Sequence, residues 1–213
     1  MNPTAVVFDL DGTLAVTRRD RQTLLDKATQ AAGVRDIDRA EYLDAHGRDL
    51  ATETRAPIFD AILDDGDPEV VADRYLDAIA SDLEPVPGVE ELLSDLRERY
   101  RLGLLTDGPV RAQYDKLDRL GWHNLFDAVV VTGELPAGKP DRRTFERILD
   151  ELGVGPASAV YIGDNPEADI AGAADAGLVA VQVLDGDDEA APAADATVRA
   201  DSFAADLRAL LLA

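Results

Sequence analysis

Five stretches of this chain, 4–8, 102–105, 128–131, 159–162 and 178–183, are apolar at consecutive rather than alternate positions, and a weaker sixth lies at 197–198. A strand that is apolar on both sides has to be covered on both sides, which excludes an antiparallel sheet with one wet face. The segments between these runs have helical spacing. Leu92, Leu93, Leu96 and Tyr100 fall at i, i+1, i+4 and i+8 behind Pro87-Gly88, and Phe145, Ile148, Leu149 and Leu152 at i, i+3, i+4 and i+7 ahead of Gly153. Ser202 is placed to cap a last helix whose stripe is Phe203, Leu207, Leu210 and Leu211. Strands alternating with helices predict an α/β fold, a parallel sheet with helices on both faces.

The first strand has no prompt successor. Residues 17–85 contain helical patterns, among them Leu24-Leu25-Ala28, Ile58-Ile62-Leu63 and Tyr75-Leu76-Ile79, and no convincing strand. This predicts a helical unit, 17–85, inserted into a core made of 1–16 and 86–213. It closes at Glu84-Pro85-Val86-Pro87-Gly88, where two prolines remove backbone donors and stiffen the return. The insertion leaves at the C-terminal end of the first strand. Ligands of open parallel sheets bind outside those ends, so the unit is expected to cover a site there. No internal repeat is present, and the acidic, Ala-rich stretch 185–196 reads as a surface loop.

Charge narrows the function classes. The net charge of −22 repels phosphate backbones and anionic membranes, so neither nucleic acid nor membrane is an expected partner. No run approaches about 18 apolar residues, and no basic stretch leads into an apolar one at the start, so a cytoplasmic protein is expected. The absence of Cys removes disulfides, thiolate metal sites and a Cys nucleophile. Of 43 acidic residues 31 are Asp, and of 21 basic residues only Lys27, Lys116 and Lys139 are Lys. Such a surface repels itself unless salt shortens the Debye length, to about 3 Å at 1 M, so folding is expected to depend on salt. The composition resembles that of proteins from salt-accumulating microbes.

Four groups of residues carry chemistry. Asp9-Leu10-Asp11-Gly12-Thr13 puts two carboxylates on a common side of the first strand tip, where they can share a metal. Thr106, with the free amides of Asp107 and Gly108 next to a helix start, can hold phosphate oxygens. Lys139, between Gly138 and Pro140, can neutralise clustered negative charge. Asp164 follows the strand at 159–162 where it can meet Asp9, and Asp169 can orient Lys139 or a metal-bound water. Each also has a plainer explanation: an Asp-rich turn, a Thr or Asp helix cap, a solvated Lys. The segment 133–139 fits G-x-x-x-x-G-K, yet Pro140 supplies no hydroxyl for Mg²⁺ and Pro136 removes an amide, so a nucleoside-triphosphate loop is not expected.

Together, Asp9-Leu10-Asp11-Gly12-Thr13, Thr106, Gly138-Lys139-Pro140 and Gly163-Asp164-Asn165-Pro166-Glu167-Ala168-Asp169 resemble the four ordered motifs of the haloacid dehalogenase superfamily. Pro87-Gly88-Val89, Phe126-Asp127 and 173–177 resemble its members with a helical cap after motif one. The resemblance implies a Rossmann-like core, a mobile cap and Mg²⁺-dependent phosphoryl transfer through an aspartyl-phosphate. Asp9 would be the nucleophile and Asp11 the general acid and base, protonated by the crowding of carboxylates. Mg²⁺ would be held by Asp9, the Asp11 carbonyl and Asp164. Thr106, Asp107, Gly108 and Lys139 would bind the phosphoryl group of a small phosphorylated metabolite, and Asp169 would stand behind Lys139. Similar dehalogenases lack the second Asp of motif one, so Asp11 favours phosphate chemistry. A phosphomutase, and a silent binding protein on the same fold, are the alternatives.

The chain departs from the common pattern at Ala15-Val16-Thr17 and at Arg142, which bears on specificity rather than chemistry because the cap entrance is expected near residues 15–20. Arg18, Arg19, Arg21, Arg48 and Arg55 are candidates to meet an anionic substrate tail, although solvated roles are expected for each. His46 is a candidate to face substrate, and His123 is expected to be structural. Phosphoglycolate, sugar phosphates and nucleoside monophosphates all fit these motifs.

Overall fold

The structure, a computed structural model, describes residues 3–46 and 53–212. Six strands form one parallel sheet in the order β5-β4-β1-β6-β7-β8: β1 is Ala5–Phe8, β4 Arg101–Thr106, β5 Ala128–Val131, β6 Ala159–Gly163, β7 Val179–Leu184 and β8 Ala196–Arg199. The central strand explains its own composition. Val6 and Phe8 belong to a core shared with α5 (Val89–Arg97), α6 (Val110–Leu120) and α9 (Phe203–Leu211), whereas Ala5 and Val7 belong to one shared with α7 (Arg142–Leu152) and α8 (Gly172–Ala176). A run apolar at every position is what a strand with helices over both faces requires. β1 pairs with β4 on one side and β6 on the other, which brings the ends of all three strands together.

The helices follow their stripes. Phe145, Ile148, Leu149 and Leu152 of α7 are all buried, and Gly153 ends that helix with φ +63°. Leu92, Leu93 and Leu96 of α5 are buried too, but Tyr100 falls beyond the helix. The last helix differs from expectation. A 3-10 turn, Ala200–Ser202, precedes α9, and Ser202 Oγ donates to the Asp206 carboxylate, 2.8 Å, rather than capping a backbone amide. Phe203 and Leu207 are buried, while Leu210 is exposed. The run at 197–198 is the edge strand β8.

Between residues 17 and 85 lie α1 (Arg21–Ala32), α2 (Arg39–His46), α3 (Ala56–Asp60) and α4 (Pro68–Ala80). They enclose a separate apolar cluster that includes Leu24, Leu25, Ile37, Phe59, Tyr75 and Ile79. Local signals set the ends: Asp20 accepts from the Thr23 amide at the start of α1, and Asp67 accepts from the Glu69 amide ahead of Pro68 in α4. The expectation that 17–85 holds no strand is corrected. β2 (Ala15–Thr17) and β3 (Leu83–Pro85) pair antiparallel, tying the way out of the core to the way back. Three-residue strands are too short to show a period of two, and Pro85 masks the second one. Asp82 secures this stem: its carboxylate accepts from the Arg19 amide at 2.7 Å and from Arg19 Nε and Nη2 at 2.9 and 2.7 Å. No described helix is long and apolar enough to cross a membrane.

Candidate active site

The parallel sheet gathers the candidate residues because β1, β4 and β6 all end at one edge, with the loop after β5 beside them. Asp9 immediately follows β1 and its amide continues the ladder to the Ile162 carbonyl, 2.9 Å. The chain then turns back. The Leu14 and Ala15 amides both donate to the Leu10 carbonyl, and Gly12 sits at φ +87°. A Cβ on Gly12 would lie 2.5 Å from Asp164 Oδ2, so the turn needs glycine both for its backbone angle and for the space beside that carboxylate.

Asp9 is 5% exposed, and its Oδ1 accepts from Lys139 Nζ at 2.7 Å. The same ammonium donates to Asp169 Oδ1 at 2.6 Å and to Tyr161 Oη at 3.1 Å, which uses its three protons. Tyr161 Oη donates to Asp169 Oδ1 at 2.9 Å, and the Asn165 amide donates to Asp169 Oδ2 at 3.0 Å. Asp169 therefore holds Lys139 and Tyr161 through Oδ1 and the Asn165 amide through Oδ2. Asp164 receives the Thr13 hydroxyl at 3.3 Å. The Asp107 carboxylate accepts from the Lys139 amide at 3.1 Å, which anchors the lysine loop to the end of β4.

Electrostatics separates the carboxylates into two kinds. Burial lifts Asp9 well above its ordinary value, and the charges of Asp169 and Asp164 add to the effect against the opposing pull of Lys139. Asp164 is pushed up to about 6 by burial and then by Asp169. Lys139 stays an ammonium: burial works against its charge, but Asp169 and Asp9 outweigh it and raise the value. Asp9, Asp164 and Asp169 offer oxygens within 4.8 Å of one another. One ammonium among three carboxylates leaves an excess of negative charge on hard oxygen donors, a set that suits Mg²⁺.

Asp11 behaves differently. Its carboxylate points to cations, with Oδ1 accepting from Arg21 Nη2 at 2.8 Å and Oδ2 from Lys116 Nζ, and Gln113 Nε2 3.4 Å from Oδ2. Burial alone would raise it, but Lys116, Arg21 and Arg55 prevail and hold it well below the usual carboxylate range. This corrects the expectation that crowding by acids protonates Asp11, because its neighbours are bases. Its side chain is also outside the metal-capable cluster, so only its carbonyl is left to serve a metal.

Thr106 closes β4 with a buried hydroxyl that has no hydrogen-bond partner, and the amides of Asp107 and Gly108 have no acceptor among the described residues. Unsatisfied donors together at a strand tip suit an oxyanion. A cavity of about 450 Å³ opens beyond them, floored by Asp11, Gly12, Asp107 and Gly108 and walled by the helical unit. Of the candidate arginines, Arg21 and Arg55 line it, Arg18 and Arg19 pair with Asp82 at the stem, and Arg48 lies outside the described residues. His46 lines the cavity as well, whereas His123 lies at the surface and pairs with Asp118.

Sequence reasoning missed Tyr161, Gln113, Lys116 and Arg39. Gln113 and Lys116 did leave a trace, as polar residues on the same helical face as Ala112 and Leu117. Lys116 Nζ donates to Gln113 Oε1, 3.0 Å, and burial lowers this ammonium to about 8 despite Asp11. Tyr161 left none, since a tyrosine within an apolar strand reads as packing.

The model of haloacid dehalogenase-like hydrolases matches residues 3–177. A glyceraldehyde 3-phosphate phosphatase of Methanopyrus kandleri is 34% identical over 200 residues, 85% of this chain and 84% of that protein. A phosphoserine phosphatase of Thermus thermophilus is 39% identical over 132 residues, 60% of this chain and 50% of that protein. The crystal structure of a phosphatase from Thermococcus onnurineus superposes with a TM-score of 0.73 at 28% identity, covering 98% of this chain and 97% of that one.

Proposed function

The chain belongs to the haloacid dehalogenase-like hydrolases and is a phosphatase of that family; we propose that it hydrolyses small phosphomonoesters with Mg²⁺, through an aspartyl-phosphate on Asp9, beneath a cap formed by residues 17–85. The observation that carries this reading is the placement of Lys139 Nζ against both Asp9 and Asp169, with Asp164 beside them. No simpler role explains why so much negative charge is buried at the tip of a sheet.

With Oδ1 of Asp9 held by Lys139, its other oxygen is free to attack phosphorus. The Thr106 hydroxyl and the Asp107 and Gly108 amides receive the phosphoryl oxygens, and the Lys139 ammonium, held against Asp9, offsets through its charge the repulsion they would exert on the nucleophile. Mg²⁺, held by Asp9, Asp164 and the Asp11 carbonyl, would supply the positive charge that one lysine cannot. Asp11 acts on protons. As a base it removes one from the water that attacks the aspartyl-phosphate, and it is already ionised for that task. As an acid toward the leaving oxygen it has to take up a proton against Lys116 and Arg21. The helical unit walls the cavity, and so limits the water that reaches the intermediate.

Hydrolysis of p-nitrophenyl phosphate tests the reading. Turnover is expected with Mg²⁺, to be lost in EDTA and in Asp9→Asn; turnover that survives either would contradict it.

A further inference from the structure

The cavity above Asp11 has the opposite charge to the molecule around it. The chain as a whole carries −22, yet Arg21, Arg39, Arg55 and Lys116 line this space and, among the described residues, only Asp11 and Asp107 oppose them. Arg21 and Lys116 are already spent on Asp11. Arg39 and Arg55 have no carboxylate partner among the described residues and are held by tyrosines instead. Arg55 Nε donates to Tyr42 Oη at 3.1 Å, with its guanidinium 5.5 Å from the Tyr75 ring centre. Arg39 Nη1 donates to Tyr75 Oη at 3.4 Å, and its guanidinium lies 4.9 Å from the Tyr42 ring centre.

Arg55 is 8% exposed, and its Nη1 is buried with no hydrogen-bond partner. A guanidinium cannot give up its charge, so burying one with a donor unmatched is costly unless an anion completes it. In a chain so rich in Asp, leaving two neighbouring arginines without a carboxylate keeps them available. The local field agrees: His46 is lowered to about 4, first by burial and then by Arg55 and Arg39.

We propose that this cavity binds a second anionic group of the substrate through Arg55 and Arg39, so that the preferred substrate is a small phosphomonoester bearing another anion, either a carboxylate or a second phosphoryl group. The inference rests on the phosphatase reading, because the cavity floor is shared with the phosphoryl site through Asp11, Asp107 and Gly108. It departs from what the Methanopyrus kandleri relative is named for, whose aldehyde end carries no charge.

Three substrates that differ only at the far end decide it: 3-phosphoglycerate, glyceraldehyde 3-phosphate and glycerol 3-phosphate, compared by kcat/KM with Mg²⁺, with propane-1,3-diol bisphosphate as the phosphoryl arm. The carboxylate or the bisphosphate is expected to exceed both uncharged ends by about tenfold or more. In Arg55→Gln and, separately, Arg39→Gln, that ratio is expected to collapse toward one, with Arg55→Lys keeping part of it. The native ratio needs no variant to fold. Equal kcat/KM across the series, alongside normal turnover of p-nitrophenyl phosphate, would overturn the anion site alone. Absence of p-nitrophenyl phosphate turnover would overturn the phosphatase reading, and the anion site with it.

Discussion

Lys139 is the residue on which the buried charge depends. Its ammonium satisfies Asp9, Asp169 and Tyr161 at once, so Lys139→Met leaves three carboxylates together without a counter-charge. Removing one partner of a buried ion pair costs about 3–5 kcal/mol. We expect Lys139→Met to lower unfolding stability by about that amount, measured by denaturant titration, and added Mg²⁺ to restore part of the loss. An unchanged midpoint would mean that the charges are better solvated than their burial implies. At this scale the sequence was informative where a residue type was out of place. A lysine between glycine and proline after an apolar run, or an Asp-x-Asp at a strand tip, is hard to explain as packing. Tyr161 and Arg39 were not legible, because a tyrosine in a strand and an arginine on an exposed-looking helix are common. Their roles come from partners brought in by the fold. The ionisation of Asp11 is hidden from the sequence for the same reason: its electrostatic neighbours, Lys116 and Arg21, lie 105 and 10 residues away along the chain.

At the scale of elements, the turn after β1 and the stem of the inserted unit decide where the site residues sit. Gly12→Ala would meet both a positive φ and the Asp164 carboxylate at 2.5 Å. We expect a loss of about 1–3 kcal/mol in stability, together with weaker Mg²⁺ binding by calorimetry. Native-like Mg²⁺ affinity in that variant would show that Asp164 does not need its present position. The stem supplies a pH test. Arg19 and the backbone bonds hold the Asp82 carboxyl below its ordinary value, so the folded state favours the carboxylate. Its contribution is complete above the ordinary carboxylate pKa near 4 and is lost as pH falls through the lower, folded value. Asp82→Asn should therefore melt below the native chain at pH 7, and the gap should narrow as acidification carries the pH below the ordinary carboxylate value and through the lower, folded one. A gap that stays constant with pH would refute the assignment. The long parallel strands and the amphipathic helices were readable from their periodicity. The stem strands were not, because three residues carry no period and their pairing joins segments 66 or more residues apart.

For the whole molecule, charge governs stability and convergence governs function. An Asp-rich surface at −22 predicts a melting temperature that climbs as KCl is raised from low to molar concentration, followed by circular dichroism. A melting temperature indifferent to KCl would show that the ion pairs already balance the repulsion. The central claim is that β1, β4, β6 and the loop after β5 bring Asp9, Thr106, Lys139, Asp164 and Asp169 into one phosphoryl-transfer centre with Asp9 as its nucleophile. Borohydride reduction of the chain during Mg²⁺-dependent turnover, followed by peptide mass spectrometry, tests this most directly, since it converts an aspartyl-phosphate to homoserine. Homoserine at position 9 is the predicted result. Turnover with reduction at a different carboxylate, or at none, would contradict it.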